Sequence, residues 1–111
     1  MTQKPFDLEQ PPEKAGIIIP WTLVSDRPTE VRLEESAGLV EALGCKLEFL
    51  RPENIRKPTP GYLLSGGLLD RLADDVKSHD CTIVIIDAAL SPIQQRNLEN
   101  RLGVKVIDRT G

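Results

Sequence analysis

The 111-residue sequence has little of the side-chain chemistry on which metal sites and cysteine nucleophiles depend. It contains two cysteines, Cys45 and Cys81, no C-x-x-C pair, and one histidine, His79. A structural zinc site needs four nitrogen or sulfur ligands, and a nucleophilic cysteine needs a base beside it. We therefore expect no metal site in this chain, and we interpret both cysteines as small buried hydrophobic residues.

Two motifs are also missing from the sequence. No apolar run approaches the roughly 18 residues that a membrane-spanning helix needs, and the polar N-terminus lacks the apolar segment of a signal peptide. We therefore expect a cytoplasmic protein without a membrane partner. The phosphate-binding sequence G-x-x-x-x-G-K-[ST] does not occur, so we expect neither a cofactor in this chain nor catalysis by it.

Charge is unevenly distributed along the chain. A net charge of −3 argues against a protein that coats nucleic acid by bulk attraction, and we expect no DNA partner. Residues 1–50 hold five Lys and Arg against nine Asp and Glu, whereas residues 51–111 hold nine against eight. Any surface that faces phosphate is therefore expected in the second half.

A proline-containing leader is predicted over residues 1–13, and the domain is predicted over residues 14–111. Within the domain, strand and helix patterns alternate. Apolar runs and alternation predict four strands, at residues 16–21, 45–50, 82–86 and 104–107. The second strand is expected to place Cys45, Leu47 and Phe49 on one face. Pro20 is expected to end the hydrogen-bonded ladder of the first strand. The proline-rich segment 51–62 is predicted to be a loop.

Three helices are predicted between these strands. The first begins near Thr29, ends at Gly44 and carries an apolar stripe of Leu33, Ala37, Val40 and Leu43. The second is entered through Ser65-Gly66-Gly67 and has five apolar positions at helical spacing: Leu68, Leu69, Leu72, Ala73 and Val76. The third has Ser91 as its cap, Pro92 in its first turn, Gln94 completing a capping box and Gly103 as its end. Its apolar face is expected to comprise Leu98 and Leu102, with help from Ile93.

The order βαβαβαβ predicts a single small α/β domain with a four-stranded parallel sheet and helices on both faces. Strand order 2-1-3-4 places the two most apolar strands in the middle. It also creates a switch point between the first and third strands, where ligands bind in such sheets. We therefore expect any ligand crevice near Trp21 and Asp87.

Two groups of residues are candidates for contact with RNA. Arg51, Arg56 and Lys57 lie in the proline-rich loop, where only Glu53 opposes them. Gln95, Arg96 and Asn100 lie on the polar face of the third helix. From the sequence, these three residues and Asn97 have no evident role in folding. An ordinary solvated surface is the alternative for both groups.

Ser65-Gly66-Gly67 could present backbone amides to a phosphate at a helix start. The signal is weaker because no lysine follows, and a flexible helix start is the alternative.

Residues 90–111, LSPIQQRNLENRLGVKVIDRTG, resemble the "LSPxQxRNLE…VKVIDRT" segment of HflX-type GTP-binding proteins, and the pattern extends more loosely back to Gly16. The resemblance implies an N-terminal domain from a longer protein, whose separate GTPase domain binds GTP and Mg²⁺ and hydrolyses GTP. It further implies that the parent associates with the large ribosomal subunit and can split ribosomes under stress. We expect this domain to dock the parent on rRNA, and we expect the parent's own GTPase domain as a second partner. Family members carry a YxGxGK-like segment, whereas here Leu64 replaces the first glycine and Gly67 replaces the lysine.

Two other functions remain open from the sequence. One is a flavodoxin-like ligand-binding or receiver-type signalling domain that uses the crevice near Trp21 and Asp87. A receiver also needs an acidic pair after its first strand, where this chain has Pro20 and Trp21. The other is an intramolecular regulator whose polar third helix covers the GTPase domain.

Overall fold

Strands and helices alternate along the chain, as the sequence predicts. The computed structural model describes residues 13–21 and 30–108. Its elements are β1 (Lys14–Trp21), α1 (Glu30–Ala42), β2 (Lys46–Asn54), α2 (Gly66–Ser78), β3 (Ile83–Ile86), α3 (Pro92–Leu102) and β4 (Lys105–Asp108). The predicted leader, apart from Glu13, and the predicted helix start near Thr29 lie outside the described residues.

The four strands form one parallel sheet in the order β2-β1-β3-β4, which confirms the predicted topology. Helices α2 and α3 pack on one face and α1 packs on the other. Successive side chains of a strand point to opposite faces, so Ile18 packs with α2 and α3 while Ile17 and Ile19 pack on the α1 side. None of the helices in the described ranges is long and apolar enough to cross a bilayer.

The prediction that Pro20 ends the ladder of β1 is wrong for its pairing with β2. That pairing continues to Trp21 opposite Asn54, whereas the pairing with β3 ends at Ile18 opposite Ile86. The Ile18 carbonyl accepts from Asp87 N on the β3 side, and the Trp21 carbonyl accepts from Ile55 N on the β2 side. Successive residues of β1 direct their backbone groups to opposite sides, so Pro20, like Ile18, faces the β3 side. The pairing with β3 has already ended there, so the N–H that proline lacks is not needed by the ladder.

Strand β2 differs most from its predicted form. Its register with β1 shifts by one residue, so that Leu47 pairs with Ala15 and Phe49 pairs with the next residue, Gly16. This bulge inserts Glu48, and Phe49 therefore lies on the α2 face, opposite Cys45 and Leu47. The strand also continues to Asn54, so the first four residues of the predicted 51–62 loop belong to it.

The predicted apolar faces of the helices are confirmed where they meet the larger core. All five predicted positions of α2 are buried, as are Leu98 and Leu102 of α3. In contrast, Leu43 is 57% exposed and Ile93 is 66% exposed, so neither contributes the burial expected of it. Leu43 lies just beyond the end of α1, and Ile93 lies in the first turn of α3.

Candidate nucleic-acid interface and switch-point groove

The carboxyl edge of the sheet gathers several of the predicted site residues. In a parallel sheet every strand delivers its following loop to the same edge, and every connecting helix begins there. Arg56 and Lys57 follow β2, Asp87 follows β3, and α2 and α3 both begin at this edge. The N-terminal ends of two helices, each with a partial positive charge, therefore lie at the same edge as the basic loop.

Arg56 and Lys57 line a pocket of about 290 Å³ with Ser65, the residue before α2. Asn54 and Ile55 complete this lining, which we call the basic pocket. Ile55 is buried in the core and anchors the loop, while Arg56 and Lys57 are exposed. Within the described ranges, neither cation has an ion pair. Both cations therefore lie at the pocket without a carboxylate partner among the described residues.

The start of α2 contributes backbone donors beside the basic pocket. Ser65 Oγ accepts from the backbone N–H of Leu68 at 3.3 Å, so Ser65 caps the helix start, a role that was not predicted for it from the sequence. The first amides of a helix have no intrahelical acceptor, and Gly66 and Gly67 leave them uncovered by any Cβ. Both glycines are exposed, although neither lines the pocket.

Arg51 is held away from the basic pocket by α2. Its guanidinium pairs with Asp75 and lies 5.0 Å from the centre of the Phe49 ring. Hydrogen bonding to Asp75 raises the pKa of Arg51. The sequence gives no local signal for this partner, since Asp75 lies 24 positions further along the chain.

The polar face of α3 is divided between structural and exposed residues. Gln95 Nε2 donates to the Val106 carbonyl at 2.9 Å, and Asn97 Nδ2 donates to the Gly61 carbonyl at 3.0 Å. Folding therefore explains both side chains, contrary to the interpretation from sequence. Arg96 and Asn100 are exposed, and they are the candidates on α3 that no described contact assigns to the fold.

A groove of about 610 Å³ runs between α1 and the strands β1, β3 and β4. We call it the α1 groove; its lining is Ile17, Arg32, Glu35, Ser36, Leu39, Val40, Leu43, Ile85, Asp87, Ile107 and Asp108. Asp87 lies at the predicted switch point, but Trp21 does not line the groove.

The two aspartates at the polar end of the α1 groove have partners within the fold. Asp87 accepts from Arg32 Nη2 at 2.9 Å and from Arg32 Nε at 3.3 Å. Asp108 is buried and accepts from the backbone N–H of Leu90 at 3.0 Å. Arg32 could not be identified from the sequence as the partner of Asp87, because 55 positions separate them.

The cysteines and the histidine have separate surroundings. Burial raises the pKa of Cys81 to about 11, while Cys45 is half-buried. His79 Nδ1 lies 3.3 Å from Glu48 Oε1, and its ring is tilted against Phe49. Among the described residues, no group of three or more His, Cys, Asp or Glu side chains is arranged to hold a metal ion.

Comparison with known sequences identifies relatives of this domain. The family described as GTP-binding GTPase N-terminal matches residues 30–111. GTPase HflX of Escherichia coli is 37% identical over 79 residues, covering 71% of this chain and 18% of that protein. GTPase HflX of Methanocaldococcus jannaschii is 40% identical over 77 residues, covering 69% and 19%. The chain thus spans about a fifth of the length of these relatives.

Comparison with solved structures finds the same fold. A structure titled as a complex of SsGBP with GDP superimposes with a TM-score of 0.62 and 20% identity, covering 87% of this chain and 26% of that one. A mutation variant of SsGBP gives a TM-score of 0.62 at 19% identity, covering 87% and 29%. The family match and the HflX relatives together show that this chain belongs to the GTP-binding GTPase N-terminal family and is the N-terminal domain of an HflX-type GTPase.

Proposed function

We propose that this domain docks an HflX-type GTPase on the large ribosomal subunit by binding rRNA phosphates at the basic pocket. The parent protein in this proposal is cytoplasmic and binds and hydrolyses GTP with Mg²⁺ in a domain outside this chain. Two findings support the GTP-dependent part: the relatives are named GTPase HflX, and this chain lacks the G-x-x-x-x-G-K-[ST] motif. Ribosome docking rests on the surface chemistry described next.

The observation that carries the proposal is the pair of uncompensated cations at the basic pocket. Arg71 lies 3.8 Å from Glu53, and Arg101 lies 2.7 Å from Asp70. Among the described residues, Arg96, Lys77 and Lys105 also have no ion pair, but none of these three lines the basic pocket. Arg56 and Lys57 are exposed and have no such partner in the described ranges. A cation without an intramolecular partner can neutralise a phosphate without first breaking an ion pair, and it releases the counterion that the phosphate held.

The start of α2 supplies a second kind of phosphate ligand. Ser65 lines the basic pocket, and the unpaired amides of the first turn follow it. The segment that resembles the family's YxGxGK sequence lacks its lysine, because Gly67 stands there. Lys57 supplies a cation to the same pocket from the neighbouring loop. Arg96 and Asn100 on the exposed side of α3 are the candidates for extending the contact along the RNA.

Charge reversal at the basic pocket tests the proposal. The double variant Arg56→Glu/Lys57→Glu is expected to bind purified large ribosomal subunits at least about tenfold more weakly than the unchanged 111-residue chain in co-sedimentation. Each lost phosphate contact also lowers the salt dependence, so the slope of log affinity against log salt is expected to fall by about one to two units.

The matched control changes the same charge at the opposite edge of the sheet. Lys77 lies in the last turn of α2 and Lys105 begins β4, and both are exposed. Lys77→Glu/Lys105→Glu is expected to keep most of the affinity and the steeper salt slope. Equal weakening in the two double variants would mean attraction by overall charge, and unchanged binding of the basic-pocket variant would remove this pocket as the contact.

A further inference from the structure

The loop that carries the cations of the basic pocket is closed on itself by hydrogen bonds. We call residues 55–65 the pocket loop; Ile55 and Leu64, near its two ends, are buried in the core. Between these anchors, Thr59 and Leu63 exchange two backbone hydrogen bonds, at 3.2 and 2.9 Å. The Thr59 hydroxyl also donates to the Leu64 carbonyl at 3.3 Å. The pocket loop is therefore a compact unit in which moving Thr59 displaces the residues around it.

Helix α3 holds the middle of the pocket loop through two amide side chains. Gln94 Nε2 donates to the Thr59 carbonyl at 2.9 Å, and Asn97 Nδ2 donates to the Gly61 carbonyl at 3.0 Å. Gln94 and Asn97 are three positions apart, so they lie on the same side of the helix. We call these two hydrogen bonds the α3 clamp. No side chain from 56 to 63 is fully buried, so apolar packing fixes this part of the loop less firmly than its ends.

The carbonyls held by the α3 clamp are close in sequence to the residues that line the basic pocket. Thr59 is separated from Lys57 by Pro58 alone. The proline ring fixes the φ angle of Pro58 and restricts the backbone of the residue before it. On the other side, Gly61 comes four positions before Ser65. Holding Thr59 and Gly61 on α3 therefore limits how far Lys57 and Ser65 can move apart.

A site whose ligands are held in place before binding loses less conformational entropy when the ligand arrives. A loop that visits other conformations binds more weakly, in proportion to the fraction of time that it spends in the binding conformation. Neither Gln94 nor Asn97 lines the basic pocket. Any effect of these two amides on phosphate binding is therefore exerted through the pocket loop.

We propose that Gln94 and Asn97 are positioning residues for phosphate binding at the basic pocket. By holding the pocket loop on α3, they keep Lys57 and Ser65 in the arrangement that a phosphate group needs before the phosphate arrives. This inference rests on the proposed function of the pocket and adds the residues that control its affinity. The α3 clamp thereby gives a binding role to two side chains that make hydrogen bonds within the fold.

NMR titration of the isotope-labelled 111-residue chain with inorganic phosphate tests the inference. Phosphate is expected to shift the backbone amide signals of Arg56, Lys57 and Ser65. Asn97→Ala removes one hydrogen bond of the α3 clamp without adding charge, and it is expected to weaken phosphate binding about two- to tenfold. Ile93→Ala is the matched control, because Ile93 is 66% exposed on the same helix and packs in neither core cluster. It is expected to bind phosphate as the unchanged chain does.

Gln94→Glu removes the other hydrogen bond of the α3 clamp but keeps the helix cap, because a glutamate oxygen also accepts from the N–H of Ser91. It is expected to weaken phosphate binding by a similar factor. Hydrogen exchange at the Thr59 and Leu63 amides is expected to quicken, while the amides of α2 keep their protection and show that the fold is intact. Ile93→Glu brings the same charge to the same turn, and equal weakening by this control would overturn the positioning role of Gln94.

Co-sedimentation with large ribosomal subunits separates a positioning role from a direct contact. Asn97→Ala is expected to weaken binding but to keep the salt slope of the unchanged chain, because the bound state makes the same phosphate contacts. A slope lowered as much as in Arg56→Glu/Lys57→Glu would make Asn97 a contact residue and overturn the inference.

The phosphate titration does not involve the ribosome, so failure of ribosome docking and failure of the positioning role are distinguishable. Normal sedimentation of Arg56→Glu/Lys57→Glu would refute docking at this pocket, and the titration would still decide the positioning role. That role is overturned if Asn97→Ala and Gln94→Glu bind inorganic phosphate as the unchanged chain does. It is also overturned if phosphate shifts no pocket amide of the unchanged chain.

Discussion

Gly16 shows how a single residue sets the fit between β1 and the α2 face. A Cβ added at Gly16 would overlap the ring of Phe49, its neighbour across the strand pair. Phe49 packs in the larger core with α2, so its ring has little room to move. We expect Gly16→Ala to lower the free energy of unfolding by about 1–3 kcal/mol through overpacking, measured by urea denaturation.

Gly38 is the control for this substitution. It lies in α1, and an added Cβ would meet nothing within 4 Å. Gly38→Ala is expected to raise the free energy of unfolding by about 0.5–1 kcal/mol, because alanine loses less backbone entropy in a helix. A Gly16→Ala midpoint equal to that of the unchanged chain would show that the Phe49 ring can move aside without cost.

At the scale of an element, α3 is fixed as much by polar contacts as by apolar ones. Ser91 Oγ accepts from Gln94 N at 3.1 Å, and Gln94 Oε1 accepts from Ser91 N at 3.0 Å, forming the capping box. Gln94 Nε2 also donates to the Thr59 carbonyl, so the helix start holds the loop after β2. The helix that begins at the carboxyl edge therefore positions the loop that reaches it.

We expect Ser91→Ala to cost about 1 kcal/mol of unfolding free energy, because the N–H of Gln94 then loses its acceptor. Urea denaturation followed by circular dichroism measures the change. Ser78→Ala is the comparison, since Ser78 is the exposed last residue of α2 and caps no helix start. Its effect is expected to stay within about 0.5 kcal/mol, as for other exposed substitutions. An equally small effect of Ser91→Ala would mean that solvent replaces the cap.

At the scale of the whole molecule, the two faces of the sheet differ in stability. The core on the α2 and α3 side includes five buried residues of α2, whereas α1 buries one residue, Val40. Regions with few buried apolar contacts open at lower free energy than the global unfolding transition. Amides of α1 are therefore expected to exchange with solvent through openings of lower free energy than those that expose the amides of α2.

Native-state hydrogen exchange across a denaturant series measures this difference, and α3 serves as the internal comparison because it shares the core of α2. Exchange of α1 and α2 amides at one common free energy would contradict the unequal coverage of the two faces.

The sequence by itself determined the elements and their arrangement. Helical periodicity identified α2, the Ser91-to-Gly103 signals delimited α3, and two strongly apolar runs identified the central strands. These signals are local, because a cap or an amphipathic stripe is read within a few residues. The residue-specific segment 90–111 also identified the family, which the comparisons confirm.

Only the tertiary structure decided which residues meet. The bulge at Glu48 turned Phe49 to the α2 face, because register depends on the partner strand and one extra residue reverses every later side chain. The partners of Arg51 and Arg32 lie 24 and 55 positions away, beyond any local pattern. The basic pocket likewise joins the loop after β2 to the start of α2, since a parallel sheet delivers both to one edge.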